Sequence, residues 1–231
     1  MRIVIAGGHG KIAMHLSRML AARGDTAVGL VRNPDHVPDL AAIGAEAVVL
    51  DLEHSTPSEV AAVLDGADAV VFAAGAGPGS GPARKDTVDR AAAVLLADAA
   101  EQAQVRRYLL VSSMGADEAD QVEDETFRAY LEAKHAAEVE LRTRDLDWTI
   151  LRPGGLTDDA GTGHVTLEAS VPREQVPRED VAAVLVGMLD EPATSGLTLE
   201  LVSGEDLVDA ALQAASRGEP GDGSAEAVAE G

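Results

Sequence analysis

The segment that most constrains this chain lies at its start: Ile5-Ala6-Gly7-Gly8-His9-Gly10-Lys11-Ile12-Ala13. It follows a β-branched run, Ile3-Val4-Ile5, and leads into an alanine- and leucine-rich stretch with helical spacing. A strand that turns on glycines directly into a helix is the opening of a Rossmann βαβ unit. Gly7 permits the sharp turn. Gly10 lets backbone approach a pyrophosphate, whose charge is favoured by the free N–H groups and dipole of the helix N-terminus. Ala13 is small enough for close helix–strand packing. His9, Lys11 and Ile12 belong to the same turn and count as candidate nucleotide contacts.

The rest of the chain repeats the alternation. The apolar pattern predicts strands at Ile3–Ala6, Ala27–Val31, Ala47–Leu50, Ala69–Ala73, Tyr108–Val111 and Trp148–Leu151. Helices are predicted between them at Lys11–Arg23, Pro38–Ile43, Ser58–Leu64, Arg84–Ala103 and Phe127–Arg144. This is the pattern of a doubly wound, parallel α/β sheet covered on both faces. Beyond Leu151 it loosens into a small C-terminal extension on the substrate side, with strands at Val165–Leu167 and Leu197–Val202 and a helix near Arg178–Leu189. Residues 1–215 are expected to form a single nucleotide-binding domain. Residues 216–231, too polar to bury much apolar area, are expected to form a flexible acidic tail.

The second strand bears on which dinucleotide is bound. Its end reads Leu30-Val31-Arg32-Asn33-Pro34, with a guanidinium where an NAD-binding chain commonly places a carboxylate on the ribose hydroxyls. Arg32, with Lys11 as a second cation, suits a 2′-phosphate, so NADP(H) is expected ahead of NAD(H). Asp51-Leu52 after the third strand fits an adenine-edge contact. Ala73-Ala74-Gly75 after the fourth offers small residues where backbone passes the cofactor ribose.

Composition narrows the partners. Forty acidic residues against 18 basic ones, net −22, disfavour nucleic acid and anionic membrane surfaces. No apolar run approaches the roughly 18 residues of a membrane span and no signal peptide is evident, so a cytoplasmic location is expected. Cysteine is absent, and the six histidines (His9, His15, His36, His54, His135, His164) are scattered, so no metal site is expected. The partner is expected to be a small molecule, with the chain a monomer or homodimer.

Further motifs carry a family resemblance over residues 1 to 205. They are Gly7-x-x-Gly10-x-x-Ala13, Val31-Arg32-Asn33-Pro34, Val88-Asp89, Val111-Ser112-Ser113-Met114-Gly115-Ala116, Tyr130-x-x-x-Lys134 and Leu151-Arg152-Pro153-Gly154-Gly155-Leu156-Thr157. Together they resemble the atypical short-chain dehydrogenases/reductases, in the branch of NAD(P)-binding, NAD-dependent-epimerase and NmrA-like proteins. The resemblance implies hydride transfer to a carbonyl-like group with Tyr130 as acid/base. Lys134, one helical turn on, faces the same way, favours the phenolate and also binds the nicotinamide ribose. It implies a serine on the substrate oxygen, here Ser113, with Ser112 and Met114 as the neighbouring registers. Asp89 stands where the family carries asparagine and is counted with the cofactor site. Pro153-Gly154-Gly155-Leu156 would wrap the nicotinamide, and residues 157–177 with the acidic Asp117–Glu125 loop would form the substrate side.

The leading expectation is an NADP(H)-dependent oxidoreductase, with an epimerase less favoured because little chain remains for a C-terminal substrate domain. The alternatives are a flavin- or tetrapyrrole-type reductase that needs no tyrosine acid, and a non-catalytic NmrA-like dinucleotide sensor.

Overall fold

The computed structural model describes residues 1–77, 80–81 and 84–218. β1 (Arg2–Ala6), β2 (Thr26–Val31), β3 (Glu46–Val49), β4 (Ala69–Phe72), β5 (Arg107–Val111) and β6 (Asp147–Pro153) carry the predicted alternation. Between them run α1 (Lys11–Ala22), α2 (Val37–Ala42), α3 (Pro57–Val63), α4 (Ala92–Ala103) and α5 (Glu125–Arg142). Past β6 come β7 (Gly155–Thr157), β8 (His164–Glu168), β9 (Gln175–Pro177), α6 (Arg178–Asp190), β10 (Thr198–Ser203), β11 (Asp206–Leu207) and α7 (Val208–Arg217).

Nine strands form one sheet in the order β11-β8-β10-β6-β5-β4-β1-β2-β3. The seven from β10 to β3 are parallel, and β8 and β11 close the far edge antiparallel. The central strands are buried on both faces: Ile3, Val4, Ile5 and Ala6 are fully covered, as are Val70, Val71 and Phe72. Alternate residues feed two cores. Ile3, Ile5, Val71 and Leu109 pack towards α1 and α6, whereas Val4, Val70, Phe72 and Leu110 pack towards α3, α4 and α5. Strand order reverses between β1 and β4, which opens a crevice at their C-terminal ends where open α/β sheets bind ligands.

Three local features depart from the sequence-based expectation. The helix predicted at Arg84–Ala103 begins with a π-helical stretch, Lys85–Ala91, before α4 proper. Such wide turns favour functional sites, and this one buries Lys85, Val88 and Asp89. The loosely patterned region contains a separate two-stranded parallel sheet, β7 with β9. Finally, α7 continues to Arg217, so Ser216 and Arg217 are helical rather than part of a tail; residues 219–231 lie outside the described residues.

Candidate active site

The glycine turn forms one wall of the crevice. Gly7 has φ +78°, and a Cβ there would stand 2.6 Å from the Ala74 Cα. A Cβ on Gly8 would stand 2.5 Å from the Gly29 Cα of β2, to whose neighbour Leu30 the Gly8 N–H donates at 3.0 Å. Gly10 starts α1 with no side-chain cap, so the first-turn N–H groups stay available to an anion. A backbone cradle this bare, under an uncapped helix, fits a dinucleotide pyrophosphate.

The cleft holds about 320 Å³ and brings together Gly7, His9, Gly10, Arg32, Asp51, Leu52, Ala73, Ala74 and Gly75. His9 stacks on His36 with ring centroids 3.7 Å apart, and its Nε2 lies 2.8 Å from Asp39. Asp51 is opposed by partial burial. The hydrogen bonds it accepts from His54 and the Glu53 N–H prevail and hold its carboxyl below the usual range.

Two expected side-chain contacts lie elsewhere. Lys11 is not a second cation beside Arg32; its ammonium crosses to Asp158, which also holds Arg178. The Ile12 side chain packs against the hydrophobic core, which leaves its first-turn N–H as the group facing a nucleotide. Asp89 is wholly buried behind Gly75 and accepts from the Ala76 N–H at 3.2 Å, so it braces the loop after β4. Pro153, Gly154, Gly155 and Leu156 line a second pocket together with Tyr130.

The cation that does join Arg32 in the cleft lining is Arg84, which sequence reading missed. Glu53 Oε2 accepts from Arg32 Nη1 at 2.9 Å and from Arg84 Nη2 at 2.8 Å, while its Oε1 accepts from Thr87 at 2.7 Å. The Arg84 hydrogen bond holds the Glu53 carboxyl below the ordinary carboxylate range. Glu53 could have been noticed as the residue after Asp51-Leu52. Arg84 carried no local signal, because its position depends on how the π-helical stretch crosses the sheet.

The second pocket, about 490 Å³, is lined by Ser113, Met114, Phe127, Tyr130, the 153–156 segment, Arg173, Glu174, Gln175 and Arg178. It therefore unites Ser113 with Tyr130. The register of the serines follows from the strand end: Ser112 turns inward and donates to Glu138 at 2.5 Å, leaving Ser113 for the pocket. Glu138, fully buried, is gripped by Arg152 through two bonds at 2.9 and 2.7 Å and by Arg142 at 2.9 Å. Arg152 also reaches Asp117, whose carboxyl is thereby held down. No residue of the Asp117–Glu125 loop lines the pocket; its first acid braces Arg152 instead.

Lys134 is buried between the two cavities. Its Nζ donates to Val111 O at 3.1 Å and Ala74 O at 3.4 Å, and stands 3.3 Å from Asp89 Oδ1. It also lies 5.8 Å from the Tyr130 ring centroid. A second ammonium, Lys85, is 5.1 Å from the same centroid. Among the described residues no helix is long and apolar enough to cross a membrane, and no cluster of three or more His, Asp or Glu is placed to hold a metal.

Comparison with known proteins agrees with this architecture. Residues 7–192 match the family described as NAD(P)H-binding. This chain belongs to that family. An "uncharacterized sugar epimerase" of Bacillus subtilis, YhfK, is 34% identical over 214 residues, covering 92% of this chain and 99% of the relative. A Bacillus halodurans protein, provisionally assigned as an NAD-dependent epimerase/dehydratase, superposes with a TM-score of 0.86 at 35% identity over 92% of this chain and 99% of its own. The anaerobilin reductase ChuY of Escherichia coli superposes at 0.72 with 27% identity, over 88% and 97% of the two chains.

Proposed function

We propose that this protein is an NADP(H)-dependent reductase that adds hydride to a carbonyl-like group of a small molecule, with Tyr130 supplying the proton. The observation that carries the reading is Lys134. Its ammonium bonds the carbonyl of Ala74, a residue of the nucleotide cleft, and stands beside Tyr130, a residue of the adjoining pocket. The two cavities thus meet at one buried positive charge.

The nicotinamide, when bound, supplies the hydride. Ser113 Oγ donates a hydrogen bond to the carbonyl oxygen and orients it. Tyr130 Oη delivers its proton to that oxygen as negative charge develops there, leaving the alcohol product and a phenolate. Lys134 stabilises that phenolate from below, while Asp89 and the Val111 and Ala74 carbonyls hold the ammonium in place. Arg32 and Arg84 serve a 2′-phosphate at the adenine end, which favours NADP(H) over NAD(H).

A panel of aldehydes and ketones assayed by NADPH oxidation tests the reading. Turnover that falls at least roughly 100-fold in Tyr130→Phe is expected for loss of a general acid. Turnover of flavins or linear tetrapyrroles that ignores Tyr130→Phe would transfer the protein to the hydride-only reductases, in line with the likeness to ChuY. Interconversion of nucleotide sugars without net NADPH consumption would instead support the epimerase named for the Bacillus relative.

A further inference from the structure

The Tyr130 pocket is conspicuous for its charge. Acidic residues outnumber basic ones by more than two to one in this chain, and most of its arginines hold carboxylates, as Arg23, Arg90, Arg106, Arg144 and Arg152 do. Arg173, in the pocket lining, forms no ion pair among the described residues. Its Nη2 instead donates to the Met114 carbonyl at 3.2 Å. The Nη2 end of the guanidinium abuts Gly115, so close that a Cβ there would stand 2.1 Å from Nη2. The chain around it is anchored on both sides. Val171 packs with Met114 and Val202, and β9, starting at Gln175, pairs with β7. Arg173, itself an exposed residue, is therefore held in the same pocket lining as Ser113 with donor capacity left over, since a guanidinium has five N–H groups.

A second, independent cation lies behind Tyr130. Lys85 is more than nine-tenths buried and donates to the Gly77 carbonyl at 3.0 Å, with no carboxylate partner among the described residues. Lys134, the other buried ammonium, already shares Asp89. Two buried ammoniums against one buried carboxylate leave a positive excess, which is costly in a low-dielectric setting unless an anion offsets it. Of the remaining charged lining groups, Arg178 is held by Asp158 at 2.6 Å, and Glu174 contributes one carboxylate to the lining.

Resting on the reductase reading above, we propose that the substrate carries a carboxylate, which Arg173 holds while Tyr130 and Ser113 address the carbonyl to be reduced. A planar guanidinium fixed on one side by a backbone carbonyl presents its free N–H edge to a carboxylate as a two-pronged donor. Lys85 and Lys134 make the surrounding potential favourable for the anion. The pocket thereby selects keto or aldehyde acids over their neutral analogues.

The test compares succinic semialdehyde with its methyl ester, and phenylglyoxylate with its methyl ester, as NADPH-dependent substrates. In each pair the acid should show a kcat/KM higher by roughly five- to thirty-fold, the range expected for one charge-assisted pair made by a solvent-screened guanidinium. Arg173→Gln should collapse that ratio through a raised KM for the acid, and Arg173→Lys should retain part of it. Equal kcat/KM for acid and ester in the native protein, or an unchanged ratio in Arg173→Gln, overturns the proposal while leaving the reductase reading standing. If neither member of either pair turns over, calorimetric titration of succinate into the NADP⁺-loaded protein decides. Binding that Arg173→Gln removes sustains the carboxylate site and counts against the reductase reading. Absence of succinate binding overturns the site.

Discussion

Replacing Arg32 and Arg84 singly and together by alanine tests the proposed preference of the cleft for NADPH over NADH. Both guanidiniums converge on one oxygen of Glu53, at 2.9 and 2.8 Å, so on the proposed reading both can turn to a 2′-phosphate seated beside it. A charge-assisted hydrogen bond contributes about 1.5–3 kcal/mol when shielded. The side chains of Arg32 and Arg84 are 55% and 42% exposed, so screening brings each down to about 1–2 kcal/mol. Each single variant should then bind NADPH roughly 5- to 30-fold more weakly, with NADH little affected. The double variant should lose more than the two effects combined, because Glu53 would be left facing the phosphate without a partner. Glu53→Gln should act the other way and tighten NADPH, since the phosphate would no longer compete with a carboxylate. Calorimetry with both dinucleotides at two ionic strengths reads all of this. NADH binding more tightly than NADPH, with no response to Arg32→Ala, would refute the reasoning. So would a Glu53→Gln variant that loses NADH, because Glu53 would then be serving ribose hydroxyls.

Three further outcomes follow from the packing. Gly8→Ala places a Cβ against backbone on β2 that has no room to yield; urea titration should show a loss of about 1–3 kcal/mol or more, as in other overpacked sites. Arg152→Met removes two of the bonds on wholly buried Glu138. It should destabilise by about 3–5 kcal/mol, with Glu138→Gln partly restoring the double variant; a loss under about 1 kcal/mol would contradict a buried, partner-dependent carboxylate. The third concerns acid. The Glu53 carboxyl lies below its ordinary 4.5 because the bond from Arg84 outweighs burial. A depressed folded pKa contributes stability that is present above the unfolded value and lost as pH falls from there through the folded one. Glu53→Gln should therefore flatten the stability profile below about pH 4.5 and leave its slope at neutral pH unaltered; identical acid limbs would show that Glu53 is not coupled to folding.

What could be read from the chain alone depended on short-range periodicity. Gly7 to Ala13 declared the cradle because strand, turn and helix follow one another within nine residues, and each glycine has a local steric reason. Tyr130 and Lys134 were paired by one turn of helix, and in the structure the Lys134 ammonium lies 5.8 Å from the Tyr130 ring centroid. The alternation of apolar runs was enough for the parallel core, where both faces of a strand are covered and its pattern is unbroken. Past β6 it found β8, α6 and β10 but missed β7 and β9, which are three residues each and depend on one another rather than on a repeating pattern.

Contacts between distant segments were settled only by tertiary structure. Lys11 meets Asp158 across 147 residues, so no local rule could tell that it faces away from Arg32. The convergence of Arg32, Arg84 and Glu53 needs β2, the β3 loop and the π-helical stretch to be brought side by side. The choice of Ser113 over Ser112 for the pocket was made by Glu138, twenty-six residues away on α5. A strand end offers consecutive side chains to opposite faces, and only the element packed there decides which one is buried and which is left for a ligand.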